Sequence, residues 1–216
     1  DPSVSKTYRQ IQPWSTNMVR LFLPILMLFL AGCQPDTATL RVSGETMGTT
    51  YNITVVDKVG DLNEADLKNA VEAPLADVNS AMSNWDPNSE ISRFYAQQTT
   101  EPIEISTEMA EVMTAANAVH AASDGQFDVT LGPLIELWGF GSRNSESPIP
   151  SDESISEALG RVGQASTLQL EGGASPTLAK NPPETSVFLA AIAKGYGADQ
   201  IASAIRDLGA TDYMVE

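Results

Sequence analysis

Two long stretches of the chain carry apolar residues at every third or fourth position, which is the spacing of one face of a helix. Pro74 lies within the first stretch and predicts a kink there. Ser106 or Thr107 can cap the second stretch at its start. The apolar positions are Leu67, Val71, Leu75, Val78 and Met82 in the first, and Met109, Val112, Met113, Ala116 and Val119 in the second. Each stretch predicts an amphipathic helix with one buried face.

Shorter runs have the alternation or the β-branched and aromatic content of strands. The predicted strands are residues 49–56, 103–105, 167–170, 186–190 and 213–216, and residues 172–183 are predicted to be rich in turns. Further helices are predicted to start at Ser151 and after Lys194, where Ile201, Ile205 and Leu208 form a stripe. These elements predict an α+β fold with mixed or antiparallel sheets and packed helices. The last strand has just begun when the chain stops, which indicates a fragment.

The N-terminal part has the layout of a bacterial lipoprotein signal. Arg20 supplies a positive charge, residues 21–30 are apolar, and Leu30-Ala31-Gly32-Cys33 resembles the lipobox, in which the cysteine becomes lipidated. The apolar run is shorter than the roughly 20 residues that a membrane-spanning helix needs. An uncleaved membrane anchor and a plain secretory signal remain alternatives.

Four segments are expected along the chain. Residues 1–17 precede Met18 and are interpreted as an over-extended start, residues 18–32 as the signal peptide, and residues 33–43 as the lipidated Cys33 with a linker. Residues 44–216 suffice for one domain with a sizeable core. We therefore expect the mature protein on the periplasmic face of a bacterial membrane, with the choice between inner and outer membrane left open.

The formal net charge of −16 restricts the partners of the protein. An acidic surface repels nucleic acid and anionic lipid headgroups, so nucleic-acid binding is excluded and membrane attachment has to come from an acyl chain on Cys33. Cys33 is the only cysteine, so no intrachain disulfide can form. The same charge repels phosphate-bearing ligands, which would need a metal, backbone amides or Lys194 beside them.

Residues 191–199 place Lys194 between an apolar run and a helix start that contains Gly195 and Gly197. A strand that ends at a helix N-terminus leaves backbone N–H groups free, and the helix dipole is positive there. The pattern predicts a phosphate site in which Lys194 adds charge and the glycines let the backbone come close. A surface lysine before an ordinary turn is the alternative.

Four short segments carry further distinctive residues. They are Met47-Gly48-Thr49-Thr50-Tyr51, residues 82–92 (MSNWDPNSEIS), residues 125–134 (GQFDVTLGPL) with 137–141 (LWGFG), and Ala193-Lys194-Gly195-Tyr196-Gly197 with Asp199. In this order they resemble the ApbE family, bacterial flavin transferases that move FMN from FAD onto a protein hydroxyl. The resemblance covers the chain from about Gly44 to its end, and four motifs in order are more specific than any one of them.

The resemblance implies FAD contacts for six residues, which are Met47, Trp85, Gln126, Phe127, Asp128 and Lys194. Trp85 would lie flat against the flavin, and Lys194 would reach the dinucleotide. Without the resemblance, Met47 and Trp85 could be core residues and Asp128 could cap a turn. Trp138 and Phe140 are predicted to pack in the core, and His120 to be structural.

Two further positions matter for the implied site. Ala191 matches a magnesium-binding position, which an alanine can serve only through its backbone carbonyl. Six residues before the lysine the family usually carries an FAD-binding aspartate, and here Phe188 takes that place. A phenylalanine side chain cannot accept a hydrogen bond, so Phe188 is not expected to bind FAD in the way that the family's aspartate does. The other magnesium ligands and the base that activates the acceptor hydroxyl are not identified in this sequence.

The resemblance implies a reaction in which a threonine or serine hydroxyl of an acceptor protein attacks the FMN-side phosphorus of FAD. AMP leaves, and Mg²⁺ assists as the cofactor. The implied acceptors are flavoprotein subunits of membrane redox complexes. One alternative is a magnesium-dependent FAD pyrophosphatase with water as the nucleophile. The other, which Phe188 favours, is an FAD-binding lipoprotein without turnover.

Overall fold

The computed structural model describes residues 37–57, 60–140 and 149–216, and the predicted signal peptide and Cys33 lie outside this part of the chain. The strands are β1 (Ala38–Thr46), β2 (Thr49–Asp57), β3 (Ile103–Glu104), β4 (Leu168–Glu171), β5 (Thr177–Lys180) and β6 (Tyr213–Val215). The helices are α1 (Glu64–Met82), α2 (Glu90–Ala96), α3 (Thr107–Ala122), α4 (Gly132–Trp138), α5 (Asp152–Leu159), α6 (Gln164–Thr167) and α7 (Ala190–Asp207).

The strands form two antiparallel sheets, which confirms the predicted α+β class. One sheet has the order β1-β2-β6 and the other the order β3-β5-β4. In β2, Tyr51, Ile53 and Val55 are buried at every second position, so one face of the first sheet packs on the core. β1 begins at Ala38, inside the segment predicted as linker. Among the described residues, none of the helices is both long and apolar enough to cross a bilayer.

Helices α1 and α3 follow the periodicity that predicts them. All five apolar positions predicted for α1 are buried, and the helix continues on both sides of Pro74. Ser106 caps α3, since its Oγ accepts a hydrogen bond from the backbone N–H of Met109 at 3.1 Å. Val119, predicted for the buried stripe of α3, is exposed near the end of the helix. α1 packs against α7 and the first sheet in one apolar cluster and against α3 in another.

The segment before α7 is not the strand that its apolar residues predict. The backbone carbonyl of Val187 and the N–H of Leu189 both bond to the side-chain amide of Asn84, at 2.8 and 3.0 Å. The N–H of Phe188 bonds to the carbonyl of Val129 at 2.7 Å. Because these groups are already paired, they are not available for a strand ladder. α7 then starts at Ala190, and the segment predicted as turns contains β5.

Lys180 lies in the core, where its side chain is 1% exposed. Its Nζ donates hydrogen bonds to the carbonyls of Phe94 and Tyr95, at 3.1 and 2.9 Å, and lies 5.1 Å from the centre of the Phe94 ring. Carbonyls at the end of a helix have no partner within it, so Lys180 satisfies the last turn of α2 from β5. Burial lowers the pKa of Lys180, and Glu184 partly opposes this shift. The lysine thus joins the second sheet to α2.

Candidate functional site

A turn after α1 presents Asn84 and Trp85. Ser83 is the C-cap of α1, and its carbonyl accepts a hydrogen bond from the hydroxyl of Ser89 at 2.7 Å, while Ser89 caps α2. This pairing closes the segment between the two helices. Asn84 points to the loop before α7, as described above, and Trp85 is left 67% exposed. The side-chain amide of an asparagine is suited to this role, since it can donate to a carbonyl and accept from an N–H together.

Trp85 stands beside a cleft of about 250 Å³. Its indole meets the ring of Phe188 edge to face, with ring centroids 6.3 Å apart and an angle of 88° between the planes. Tyr95 and Phe140 add aromatic surface, and Glu136 is the charged residue in the lining. A mostly apolar cleft with exposed aromatic rings can bind a planar ring system by stacking and area burial.

A second cavity, of about 40 Å³, also borders Trp85. Met47, Trp85 and Lys194 line it together with Asn84 and Ala190 at the start of α7. The residue before Ala190 makes no side-chain cap, so the positive end of the helix dipole faces this region. The cavity can therefore attract an anionic group, to which the exposed amine of Lys194 adds a full positive charge.

Lys194 is in a helix and not at a strand end. It is the fifth residue of α7, and Gly195 and Gly197 also belong to the helix. The predicted strand-to-helix phosphate loop is therefore wrong, although the lysine still lies within the first turns. Gly197 faces Met47 and not open space, since a Cβ there would lie 2.8 Å from the Met47 Cε. Gly195 has no atom within 4 Å of such a position.

The side chain of Tyr196 ties α7 to α3. Its hydroxyl donates a hydrogen bond to Glu111 at 2.9 Å. Burial first, and then this hydrogen bond, raises the pKa of Tyr196 above its ordinary value, so the phenol stays protonated at neutral pH. The contact fixes the orientation of α7 two residues after Lys194.

Met47 occupies an unusual position for its residue type. β1 and β2 are joined by the two-residue turn Met47-Gly48, with φ of 50° and 70°. Such turns favour asparagine and glycine, because side chains with φ > 0 crowd the backbone. The methionine is nevertheless partly buried against both apolar clusters. Residues with strained backbones are often found at binding sites, and Met47 lines the small cavity described above.

Gln126, Phe127 and Asp128 do not line the cleft or the small cavity. Gln126 is exposed, and Phe127 packs on the core. The carboxylate of Asp128 accepts hydrogen bonds from the N–H of Thr130 at 2.7 Å and of Gln164 at 2.8 Å. This geometry favours the capping interpretation of Asp128, since one carboxylate oxygen accepts from the N–H two residues later, as in a capped turn, and the other accepts from the first residue of α6.

The segment around Asp128 instead supports the cleft from behind. His120 Nδ1 lies 2.6 Å from the carbonyl of Phe127, and the amide oxygen of Gln164 accepts from the N–H of Val129 at 3.0 Å. The carbonyl of Val129 in turn accepts a hydrogen bond from the N–H of Phe188. His120 thus has the structural role expected of it. The contributions of Asn84 and Gln164 are not predictable from the sequence, where their only signal is an amide side chain beside a helix end.

Trp138 and Phe140 are not in the core. They are 47% and 73% exposed, so this prediction is wrong. α4 spans seven residues and is followed by its C-cap Gly139, which has a φ of 78°. A helix this short turns only part of its surface to the core, and Gly132 is its buried residue. Phe140 follows the glycine and reaches the aromatic cleft instead.

In the described part of the chain, the acidic, histidine and cysteine side chains are not clustered in the way that a metal site requires. Across residues 37–57, 60–140 and 149–216, no three His, Cys, Asp or Glu side chains are grouped to hold an ion. Ala191 is the second residue of α7, and helix geometry directs its carbonyl along the helix toward the N–H of Gly195. A single carbonyl falls short of the six oxygen ligands that Mg²⁺ requires.

Comparison with known proteins places the site in context. The model of the ApbE family matches residues 47–216. An FAD:protein FMN transferase of Vibrio cholerae is 37% identical over 190 residues, which are 88% of this chain and 56% of the relative. One of Haemophilus influenzae is 39% identical, with the same two shares. The chain thus spans about 56% of the length of these relatives.

Solved structures give the same result for the fold. The flavin transferase ApbE from Vibrio cholerae superposes with a TM-score of 0.76 at 37% identity, over 83% of this chain and 57% of that one. The flavinyl transferase ApbE of Pseudomonas stutzeri has a TM-score of 0.73 at 30% identity, over 83% of this chain and 56% of that one.

The strained turn can be tested by the stability of two variants. Met47→Gly should be more stable than Met47→Ala by about 1 kcal/mol, because both lose the same packing and only glycine adopts φ > 0 without cost. Chemical denaturation measures the difference. The matched control is Thr50 in β2, where the order should reverse and alanine should be the more stable. If alanine were the more stable replacement at both positions, the left-handed conformation of Met47 would be contradicted.

Proposed function

Because the chain belongs to the ApbE family, we propose that the whole protein is an enzyme that transfers FMN from FAD onto a threonine or serine hydroxyl of an acceptor protein. The FMN-side phosphorus forms a bond to the acceptor oxygen, the bond to the AMP phosphate breaks, and the hydroxyl proton is released. The products are a flavinylated protein, joined through a phosphoester, and AMP. Residues 44–216 would supply the FAD-binding part of this enzyme.

The observation that carries the proposal is the meeting of Met47, Trp85 and Lys194 around one small cavity beside an aromatic cleft. FAD combines planar rings with a diphosphate. The cleft offers stacking surface for a ring, and Lys194 with the N-terminus of α7 offers positive charge for the diphosphate. In a chain with a formal net charge of −16, this local compensation is what an anionic substrate requires.

We also propose that the whole enzyme uses Mg²⁺, which would neutralise charge on the diphosphate. The family resemblance implies the carbonyl of Ala191 as one ligand, and among the described residues no three His, Cys, Asp or Glu side chains are grouped beside it to complete a site. The chain's own contribution is to bind and orient FAD, and to stabilise negative charge with Lys194.

The location is a proposal that rests on the sequence. Lipidation of Cys33 would anchor the protein to the periplasmic face of a membrane, close to acceptor subunits of membrane redox complexes. We expect Cys33→Ser to move the protein from the membrane fraction to the soluble fraction of cells. Retention of Cys33→Ser on salt-washed membranes would show instead that residues 21–30 form the anchor.

The activity can be tested with the full-length protein, FAD, Mg²⁺ and a purified acceptor subunit. We expect a fluorescent acceptor band on a denaturing gel together with release of AMP. An acceptor whose target threonine is replaced by valine is the control and should remain dark. Release of FMN and AMP without a labelled acceptor would identify an FAD pyrophosphatase. FAD binding with no product would identify a binding protein.

Lys194 and Trp85 should contribute to FAD binding in ways that salt distinguishes. Lys194→Ala should weaken FAD binding about tenfold at low salt, which is the lower end of the range for a charge-assisted hydrogen bond because the lysine is exposed. The loss of affinity should be smaller at high salt, because salt screens the charge. Trp85→Ala should weaken binding about tenfold at both salt concentrations, since stacking is not screened. Titration of flavin fluorescence measures both affinities. Lys68→Ala, an exposed lysine of α1, is the matched control, and an equal effect there would deny Lys194 a specific role.

A further inference from the structure

Phe188 is the ring that contacts Trp85. The two rings meet at 88° with their centroids 6.3 Å apart, which is within the range of edge-to-face aromatic pairs. Both residues line the cleft of about 250 Å³. The indole is 67% exposed, so the edge contact restrains it while leaving most of its surface open to a ligand.

The backbone of Phe188 is fixed on both sides. Asn84 bonds to the carbonyl of Val187 and to the N–H of Leu189, and the N–H of Phe188 bonds to Val129. Asn84 directly precedes Trp85 in the chain. The same short segment therefore holds the loop through its amide and meets the loop's ring through its indole. This double connection brings Trp85 and Phe188 together without a ligand.

A restrained indole has a consequence for binding. An exposed tryptophan that is free to change rotamer loses side-chain entropy when a ligand orders it, which lowers affinity. An indole already held in place avoids that loss. The cleft beside it is lined mainly by apolar and aromatic groups, with Glu136 as its charged residue. Such a surface suits an uncharged planar ring and disfavours the diphosphate, for which Lys194 offers positive charge at the smaller cavity that also borders Trp85.

We propose that Phe188 is a positioning residue for FAD binding, whose ring holds the Trp85 indole ready to stack on a planar ring of the substrate. The proposal rests on the proposed function, and it assigns Phe188 no contact with the reacting phosphorus. Recognition on this side of the site then comes from aromatic contact, without a polar side chain at position 188.

The test is a double-variant cycle in the full-length protein. Phe188→Leu keeps an apolar side chain and removes the ring edge, and it should raise the Kd for FAD about three- to tenfold, the range expected from one aromatic pair. The KM for FAD should rise with it while kcat is kept. Phe188→Tyr retains the ring and should bind within about twofold of the wild type. In a Trp85→Leu background, Phe188→Leu should have no further effect, because it acts through the indole.

A second measurement needs no ligand. The near-ultraviolet circular dichroism of the tryptophans should change in Phe188→Leu and be restored in Phe188→Tyr, since it reports whether an indole is held in one orientation. Tyr213→Leu, a half-buried aromatic on β6, is the matched control and should change neither this signal in the tryptophan bands nor FAD affinity. If Phe188→Leu lowers the melting temperature strongly, Phe188→Met replaces it.

Two results would overturn the proposal. Full, additive losses in the double variant would show that Phe188 acts independently of Trp85. An unchanged dichroism signal and unchanged FAD affinity in Phe188→Leu would show that the ring holds nothing. Failure of the proposed function looks different, because the wild-type protein would then bind no FAD while the dichroism of Phe188→Leu still changed.

Discussion

The two hydrogen bonds of the Asn84 side chain organise the site. They connect the turn after α1 to the loop before α7, more than a hundred residues later in the chain. Without them, the carbonyl of Val187 and the N–H of Leu189 would be left without these partners in a partly buried region, at a cost of about 1–3 kcal/mol per group. The bonds set where α7 begins. They thereby place Phe188 beside Trp85, and Lys194 beside the small cavity.

The sequence predicted the elements whose signals are local. Caps and helical spacing located α1 and α3, and three of the residues for which the resemblance implies FAD contacts, Met47, Trp85 and Lys194, line one small cavity. The start of α7 was mistaken because a short apolar run fits a strand or a helix equally well, and a distant asparagine decided between them. The exposure of Phe140 could not be predicted for a related reason, since an aromatic side chain fits a core and a binding cleft alike.

The residues of the family motifs have two kinds of role. Trp85 and Lys194 present open surface and charge to a ligand. In Asp128, by contrast, both carboxylate oxygens accept hydrogen bonds from backbone N–H groups inside the protein. Asp128 is connected to the cleft through the next residue, since the carbonyl of Val129 accepts a hydrogen bond from the N–H of Phe188. A motif residue can thus matter to a site from which its side chain points away.

Lys180 has one more consequence, which concerns chemical accessibility. Its amine is enclosed between β5 and the end of α2, and both of its hydrogen bonds go to α2 carbonyls. An acylating reagent can reach that nitrogen only in molecules where the helix has come away from the sheet. Exposed lysines such as Lys194 react in every molecule. The rate at which Lys180 is labelled, relative to Lys194, therefore reports how often this part of the protein opens.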